Sequence, residues 1–414
     1  MSSRAFLKVN AQRLMDTIHH TSLWGAKFSW GSDPTETGMC RLTASDEDTA
    51  AKNWLLSACR EMKSCNEPFV DQMGSGRYDG ILGVLAGLEV LRVLDENNIE
   101  TNCPIGIVDW TNEEGARFPI PKLASGVWSG SIPLEKALGL QEIGKEHRTL
   151  GQELERTGFN GSVAASYNAN PFGAHFELHI EQGPILEQRN LKVGIVTGVQ
   201  AEGWTTVYVH GQEAHSGATP IPMRSDACLA AAKMVVASSK MAERYNAVIS
   251  TGVMKVLPGS INTVAGSVEF TIDCRHQRTE VVEKIRSEMR EEFTRIASHD
   301  SGLGCTVDFN MAPLVASTVF DEKCINCVRE SANESVGEFL TMEMQSGAGH
   351  DRKAIYYSSV YTSMRCPTSM IFVPCAGGVS HNPKEFCSPE DCVIGAQTLL
   401  GAVLRYDELF GNKP

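Results

Sequence analysis

The sequence predicts an α/β protein whose main domain is interrupted by a smaller α+β insert. Three observations support this. The two ends of the chain alternate short apolar runs with helical segments, the middle contains strand, helix, strands, helix and strand in that order, and 414 residues exceed what one core usually holds. We therefore expect a first domain formed by 1–198 and 317–414, and an insert at 199–316.

In the first domain, the patterns predict four helices and three strands. Apolar residues recur at helical spacing in the helices, and the strands are short apolar runs that end at polar or glycine-containing loops. The predicted helices are 9–17, 46–59, 81–94 and, closing the chain, 393–409; the predicted strands are 104–110, 174–179 and 368–374.

The insert is predicted to be a two-layer unit of ferredoxin-like type, because its strands and helices alternate in the order typical of that motif. The strands are expected at 204–210, 248–256, 268–274 and 305–309, and the helices at 224–242 and 280–296.

Composition excludes several classes of function. The chain is 42% hydrophobic and 21% charged, and its 50 acidic and 37 basic residues give a net charge of -13, which argues against nucleic acid and anionic membranes as partners. The longest apolar stretch is too short to span a bilayer, and the N-terminus lacks the apolar core of a secretory signal. Thirteen scattered cysteines favour a reducing, cytoplasmic location over a disulfide scaffold.

Two adjacent carboxylates, Glu113 and Glu114, follow the predicted strand 104–110. Loops beyond the carboxyl ends of strands are where α/β proteins build their sites. One glutamate could bind a metal there while the other faces the substrate as a base. An ordinary solvated Glu-Glu pair is the alternative reading of these two residues taken alone.

Four candidate metal ligands share a position in the predicted fold, since Asp79, Glu114, His179 and His381 each lie where a strand ends or a helix begins. This mixed nitrogen and oxygen set suits zinc, manganese or cobalt. One carboxylate bridging two cations would give a hydrolytic centre, with Glu113 as general base. Taken singly, Asp79 could be a helix cap, and the two histidines could be a core residue and a loop residue.

Four segments resemble one family: 79–83 (DGILG), 112–118 (NEEGARF), 179–183 (HIEQG) and 347–351 (GAGHD). They are similar to the amidohydrolase branch of the di-zinc aminoacylase/carboxypeptidase family, which includes N-carbamoyl-L-amino acid hydrolase, allantoate amidohydrolase and β-alanine synthase. The resemblance covers nearly the whole chain. It implies a zinc-hydrolase-type α/β/α catalytic domain, a ferredoxin-like dimerisation domain, a homodimer, and two metal ions per subunit (Zn²⁺, or Mn²⁺, Co²⁺ or Ni²⁺).

The resemblance also implies a role for each ligand. Asp79 would bridge the metals, Glu114 and His381 would complete one metal site, and His179 would bind the other metal. Glu113 would be the catalytic base.

For the substrate, the resemblance implies contacts from Gln182, from the backbone of Gly349, and from three residues of the insert. His215 would polarise the scissile carbonyl, while Asn262 and Arg275 would hold a carboxylate, which the planar arginine fork suits. Without the resemblance, the insert residues would be read as a loop histidine, a turn residue and a surface ion-pair residue. Insert residues of this family often serve the partner subunit's site, so a dimer would be required for catalysis.

The chain departs from the family at one ligand. The family has a Gly-Ser-His-x-Asp motif on a strand shortly before the bridging aspartate, but here 71–74 run directly into 75–79, and no histidine lies between His20 and His147. Residues 352–357, in turn, are an insertion. We therefore expect one metal site to be defective, and the central sheet to have lost a strand that packs against the helix at 81–94.

The resulting expectation is a metal-dependent hydrolase of C-N bonds in linear amides, acting on N-carbamoyl amino acids and releasing amino acid, carbon dioxide and ammonia. Segments 367–374 and 380–382 favour the β-alanine synthase subtype. Allantoate and peptide-like substrates stay open. The alternative from another class is a catalytically impaired dimeric paralogue or mis-spliced isoform. A thiol enzyme lacks a matched Cys-His context.

Overall fold

The computed structural model describes residues 7–71, 81–144, 147–300, 302–347 and 358–411. The chain forms two compact units, one from Met1–Gly198 with Val319–Pro414 and the other from Val199–Thr318. Three predicted features lie outside the described residues, namely Asp79, Gly349 and the insertion at 352–357.

The helices of the described residues begin at polar caps in several cases. The side chains of Asn10, Ser45 and Asp226 each accept a backbone N–H of the first helical turn, which replaces a missing helix hydrogen bond. In chain order the helices are α1 (Ala11–Ser22), α2 (Asp46–Arg60), α3 (Ile81–Glu96), α4 (Leu123–Trp128), α5 (Leu134–Leu138), α6 (Leu150–Thr157), α7 (Ile185–Gln188), α8 (Ala227–Tyr245), α9 (Thr279–His299), α10 (Glu322–Val336), α11 (Ser358–Ser363) and α12 (Pro389–Phe410).

The strands of the described residues form two larger sheets and two short pairs. In chain order they are β1 (Ala26–Ser29), β2 (Thr37–Met39), β3 (His175–Ile180), β4 (Val193–Val199), β5 (Ala201–His210), β6 (Ala214–His215), β7 (Val248–Ser250), β8 (Met254–Leu257), β9 (Thr263–Val264), β10 (Ser267–His276), β11 (Thr306–Met311), β12 (Thr318–Val319), β13 (Thr341–Ser346) and β14 (Thr368–Val373). The predicted α/β class is confirmed.

The sheet of the first unit has the strand order β12-β4-β14-β3, and β13 also pairs with β4. Strand β14 runs parallel to β3, with Ile371 opposite Leu178, and antiparallel to β4. All six residues of β14 are buried, as expected for a strand covered on both faces. Helix α12 packs on α10 and α3.

The prediction of a strand at 104–110 is wrong, because these residues form no strand in the described structure. A strand needs a neighbour to complete its hydrogen bonds. Among the described strands, β3 is the last in its sheet, and a cavity of about 580 Å³ is lined by β3, α3, α12 and residues 103–110. No described strand pairs with 104–110, so its backbone hydrogen bonds are not completed by a neighbouring strand there. Glu113 and Glu114 therefore follow an irregular segment.

The insert folds as predicted, with two helices on one face of an antiparallel sheet. The strand order is β11-β5-β10-β7, with β8 also paired to β10. Alternate residues of β10, among them Phe270 and Ile272, enter a core formed with α8 and α9. This arrangement leaves the other face of β10 for polar residues.

Two expectations from composition can be compared with the structure. Within the described ranges, none of the helices has the length and apolar character that crossing a bilayer requires. All thirteen cysteines lie in described positions as thiols and not in disulfides, and Cys324 and Cys327 are buried in helix α10.

Candidate active site

The loop that carries Glu113 and Glu114 is held by its own backbone and by one asparagine. Asn112 adopts a left-handed backbone conformation (φ 55°), and its side-chain amide donates to the carbonyls of Phe118 and Ile120 at 2.9 and 2.7 Å. The N–H of Lys122 donates to the Glu113 carbonyl at 2.7 Å. These hydrogen bonds close the loop and fix the backbone positions of Glu113 and Glu114.

Arg117 ties this loop to the rest of the unit. Its guanidinium contacts Glu142 and Glu153 at 2.8 Å each and donates to the carbonyl of Thr43 at 2.9 Å. Arginine suits such a position, since its fork can serve several acceptors at once. Burial alone would raise the pKa of Glu153, but hydrogen bonds from Arg156, Arg117 and Arg148 outweigh it and lower the pKa to about 2. The carboxyl group of Glu153 is therefore ionised at neutral pH.

Glu113, Glu114 and His381 line one pocket of about 390 Å³. Oε2 of Glu114 lies 3.8 Å from Nε2 of His381. These two residues are more than 260 positions apart in the sequence, so their approach is a result of the fold. Three of the residues singled out from the sequence are thus neighbours in space.

Two further candidates come from the end of β3. Gln182 has a left-handed backbone (φ 59°), and its amide nitrogen lies 2.9 Å from the hydroxyl of Ser380 and 3.2 Å from Nε2 of His381. His179 is buried, with Nδ1 2.8 Å from the carbonyl oxygen of Ile180. A proton on Nδ1 that is donated to this carbonyl leaves the lone pair of His179 on Nε2, as in metal-binding histidines.

The Glu114 and His381 pair fits a metal ion. Donors that each bind one zinc ion at about 2.1 Å are at most about 4.2 Å apart, and the observed separation is 3.8 Å. Among the described residues, no group of three or more His, Cys, Asp or Glu side chains is placed to hold a metal. Asp79, the third ligand that the resemblance implies for this metal, is outside those residues.

Sequence reasoning missed the partner of Glu113. Nζ of Lys122 lies 2.9 Å from Oε1 of Glu113, and both side chains are largely buried. Lys122 has a left-handed backbone (φ 50°), which directs the chain back towards the glutamate. Nothing in the sequence around Lys122 marks it as functional, because its position depends on how the loop closes.

The loop that carries His381 also contains unpredicted contacts. Oε2 of Glu385 accepts from the Ser380 hydroxyl at 2.8 Å and from the His381 backbone N–H at 3.2 Å. His381 has a left-handed backbone (φ 54°), an uncommon state for this residue type. Glu385 therefore helps to hold the histidine in its conformation. Its sequence position gives no signal of this.

In the insert, His215 and Asn262 lie side by side. Strand β6 pairs with β9, with His215 opposite Thr263, and the N–H of Ser216 donates to the carbonyl of Asn262 at 3.0 Å. Both side chains are exposed. The fold thus joins two of the predicted substrate-binding residues.

Arg275 is at the other end of the insert's sheet. Strand β9 leads into β10 at Ser267, and Arg275 is eight residues further along the same strand, a distance of roughly 26 Å at the rise of an extended chain. Arg275 thus lies at the end of β10 opposite to the end that β9 joins.

Comparisons with known proteins agree with this organisation. Residues 61–405 match the family described as Peptidase family M20/M25/M40. The N-carbamoyl-L-amino-acid amidohydrolase of Rhizobium meliloti is 34% identical over 433 residues, covering 97% of this chain and 98% of the relative. The allantoate amidohydrolase of Bacillus subtilis is 31% identical over 79% of this chain and 76% of its own length.

A solved structure is also similar over the full length. The amidase of the hydantoinase/carbamoylase family from Burkholderia multivorans superposes with a TM-score of 0.87, at 35% identity and with 99% of each chain covered. The alignment with the Rhizobium meliloti protein, at 433 positions, is longer than this 414-residue chain, so it contains positions that this chain lacks. On the extent of these matches, the chain belongs to peptidase family M20/M25/M40.

Proposed function

We propose that this protein is a metal-dependent hydrolase of C-N bonds in linear amides, with N-carbamoyl amino acids as its substrates. The observation that carries the proposal is the common pocket of Glu113, Glu114 and His381, in which Glu114 and His381 are 3.8 Å apart. The names of the relatives from Rhizobium meliloti and Bacillus subtilis support carbamoyl and ureido substrates. N-carbamoyl-β-alanine, N-carbamoyl-L-amino acids and allantoate are the candidates.

The family is generally metal-dependent. We assign Glu114 and His381 to one metal ion, together with Asp79, and His179 to a second position shared with Asp79. Bound there, the metal would supply Lewis acidity for the amide carbonyl and for water. The nitrogen and oxygen donors suit Zn²⁺, Mn²⁺, Co²⁺ or Ni²⁺. Since the sequence lacks the histidine expected before Asp79, the second position has fewer protein ligands and is the weaker one.

Glu113 is assigned as the general base that accepts a proton from the attacking water. Its carboxylate shares the pocket with Glu114 and contacts Lys122 at 2.9 Å. The lysine compensates the charge of Glu113 in a partly desolvated setting. Gln182, in contact with His381, is placed to orient a polar group of the substrate.

We assign the substrate carboxylate to Arg275 and the scissile carbonyl to His215, with Asn262 as a further contact and Gly349 as a backbone contact. His215 and Asn262 are neighbours at β6 and β9, whereas Arg275 lies about 26 Å along β10 from Ser267, where β9 leads into that strand. One copy of the insert therefore serves two substrate molecules. The proposal requires a homodimer in which 199–316 is the dimerisation domain between the catalytic parts 1–198 and 317–414.

The alternative of a catalytically impaired paralogue or mis-spliced isoform gains no support from the comparisons, since the relatives that match 97% and 79% of this chain are named as amidohydrolases. The experiment that tests the proposed function is a substrate panel. Purified protein is given N-carbamoyl-β-alanine, several N-carbamoyl-L-amino acids or allantoate, with added zinc or manganese, and ammonia release is measured.

We expect release from at least one carbamoyl amino acid, and its loss when the metal is chelated. Variant Glu343→Gln, which changes an exposed glutamate paired with Arg329, is the matched control for any Glu→Gln change in the pocket. Absence of ammonia from every substrate with either metal would contradict the proposal.

A further inference from the structure

Arg275 lies between two carboxylates on the polar face of the insert's sheet. Glu202 of β5 is its direct cross-strand neighbour, and Asp273 precedes it by two residues on the same face. Nη2 of Arg275 is 2.6 Å from Oδ2 of Asp273 and 3.6 Å from Oε1 of Glu202, and its Nε is 3.0 Å from Oδ1 of Asp273. The side chains of Arg275 and Glu202 are each only 8% exposed.

The charge of this cluster depends on Glu202. Burial raises the pKa of Glu202 to about 7, Arg275 opposes the shift and Asp273 adds to it. The backbone of Glu202 also bridges to Val315, but residues 312–317 contain no titratable side chain, and neither does β7, which pairs with Arg275. Near neutral pH the cluster therefore changes between zero and one net negative charge.

We propose that Glu202 and Asp273 are positioning residues that compete with the substrate carboxylate for Arg275, so that a carboxylate ligand binds when Glu202 is uncharged. The proposal rests on the proposed role of Arg275. Without substrate, the two carboxylates hold the guanidinium fork in a fixed orientation. With Glu202 protonated, the cluster is neutral, and an incoming carboxylate takes the place of Glu202 beside the arginine.

An ionised Glu202 has two effects on a substrate carboxylate. It occupies the arginine, and it leaves the cluster with a net negative charge that repels a second anion. Affinity for a carboxylate substrate should therefore be constant below about pH 7 and fall up to about tenfold per pH unit above it, with uptake of one proton on binding. A neutral analogue whose carboxylate is replaced by an amide should show no such dependence.

The test is calorimetric binding of N-carbamoyl-β-alanine and an N-carbamoyl-L-amino acid from pH 6 to pH 9. Affinity of the wild type should fall about fiftyfold from pH 7 to pH 9, while Glu202→Gln should show the same affinity at every pH. The matched control is Glu269→Gln, which changes a glutamate of the same face of β10 that pairs with Lys255 and should behave as wild type. Carbon-13 NMR of labelled glutamate should show a carboxyl titrating near pH 7 that is absent from Glu202→Gln.

The outcomes separate the two proposals. Loss of binding in Arg275→Gln together with a wild-type pH profile in Glu202→Gln overturns the competition and leaves the role of Arg275 intact. Binding that survives in Arg275→Gln contradicts the role of Arg275, and the competition with it. Absence of binding to the wild type at pH 6, where Glu202 is uncharged, contradicts both.

Discussion

Glu113 is the residue on which the proposed chemistry depends most. Its carboxylate shares a pocket with Glu114 and His381 and has Lys122 as an ion-pair partner. Replacing it with glutamine keeps the shape and removes the base. We expect Glu113→Gln to lower kcat by about 10²–10⁴-fold with little change in KM. Steady-state kinetics measure this, with Glu343→Gln as control; a kcat within a few-fold of wild type would exclude Glu113 as the base.

His175 gives a prediction for stability at acid pH. It is buried beside the hydroxyl of Thr362, and burial lowers its pKa to about 4. The unfolded chain takes up a proton below pH 6.5 that the folded chain does not, so stability is lost as pH falls from 6.5 to 4. The expected loss is about 3 kcal/mol in total. Urea unfolding of wild type and His175→Gln at pH 7 and pH 4.5 checks this, because the variant should lose less; equal losses would contradict it.

At the scale of residues, sequence reasoning located Glu113, Glu114, Gln182 and His381, which the structure brings together, and Arg275 at a strand end. It did not find Lys122, because that contact arises from how one loop closes on itself. A short motif can identify a reacting side chain such as Glu113. The side chain that balances its charge can come from any residue that the fold brings close to it, here Lys122.

At the scale of elements, two glycines of α3 make a matched pair. A Cβ on Gly83 would lie 2.5 Å from the backbone oxygen of Leu178 in β3, whereas one on Gly87 would meet a side-chain methyl of Ile107 at 2.6 Å. The hydrogen-bonded backbone of β3 cannot move away from an added methyl group. The side chain of Ile107 can, because 104–110 belongs to no strand in the described structure. We expect Gly83→Ala to destabilise by about 1–3 kcal/mol, and Gly87→Ala to be near neutral because alanine favours a helix. Urea unfolding measures both, and the reverse order would contradict the packing of α3 on β3.

The elements themselves show what sequence patterns can and cannot give. Helix α9 and strand β10 were predicted to within a few residues, because their apolar periodicity is long and regular. Helix α6 was not among the predicted helices, although Thr149 and Gln152 form a capping box that marks its start. The strand at 104–110 failed for a different reason, since its apolar pattern is typical of a strand but none of the described strands pairs with it.

The whole molecule is predicted to work as a dimer with divided contributions. If Arg275 serves one substrate and His215 another, Arg275→Gln and His215→Asn should each be inactive alone, while a mixed dimer has one complete site. Random reassociation should restore about a quarter of wild-type activity. Ammonia release after mixing and refolding measures this; no recovery, in samples shown to contain mixed dimers, would mean that both residues act on the same substrate.

The cavity beside β3 is formed by segments that lie far apart in the sequence. It is about 580 Å³ in volume and is lined by β3, α3, α12 and residues 103–110. A gap of that size removes packing contacts along one side of the central sheet. The alignment that exceeds the chain in length indicates that relatives carry residues absent here. The absence of a histidine between His20 and His147 is the reason why we propose that one metal position is the weaker.

The most direct test of the proposed metal centre is the zinc content of purified protein after gel filtration. We predict one tightly bound zinc ion per subunit in the wild type and in Glu343→Gln, and much less than one in Glu114→Gln and His381→Asn, because those variants each remove a ligand. Zinc content that is unchanged by both ligand variants, or two tightly held ions per subunit in the wild type, would contradict the assignment of the site.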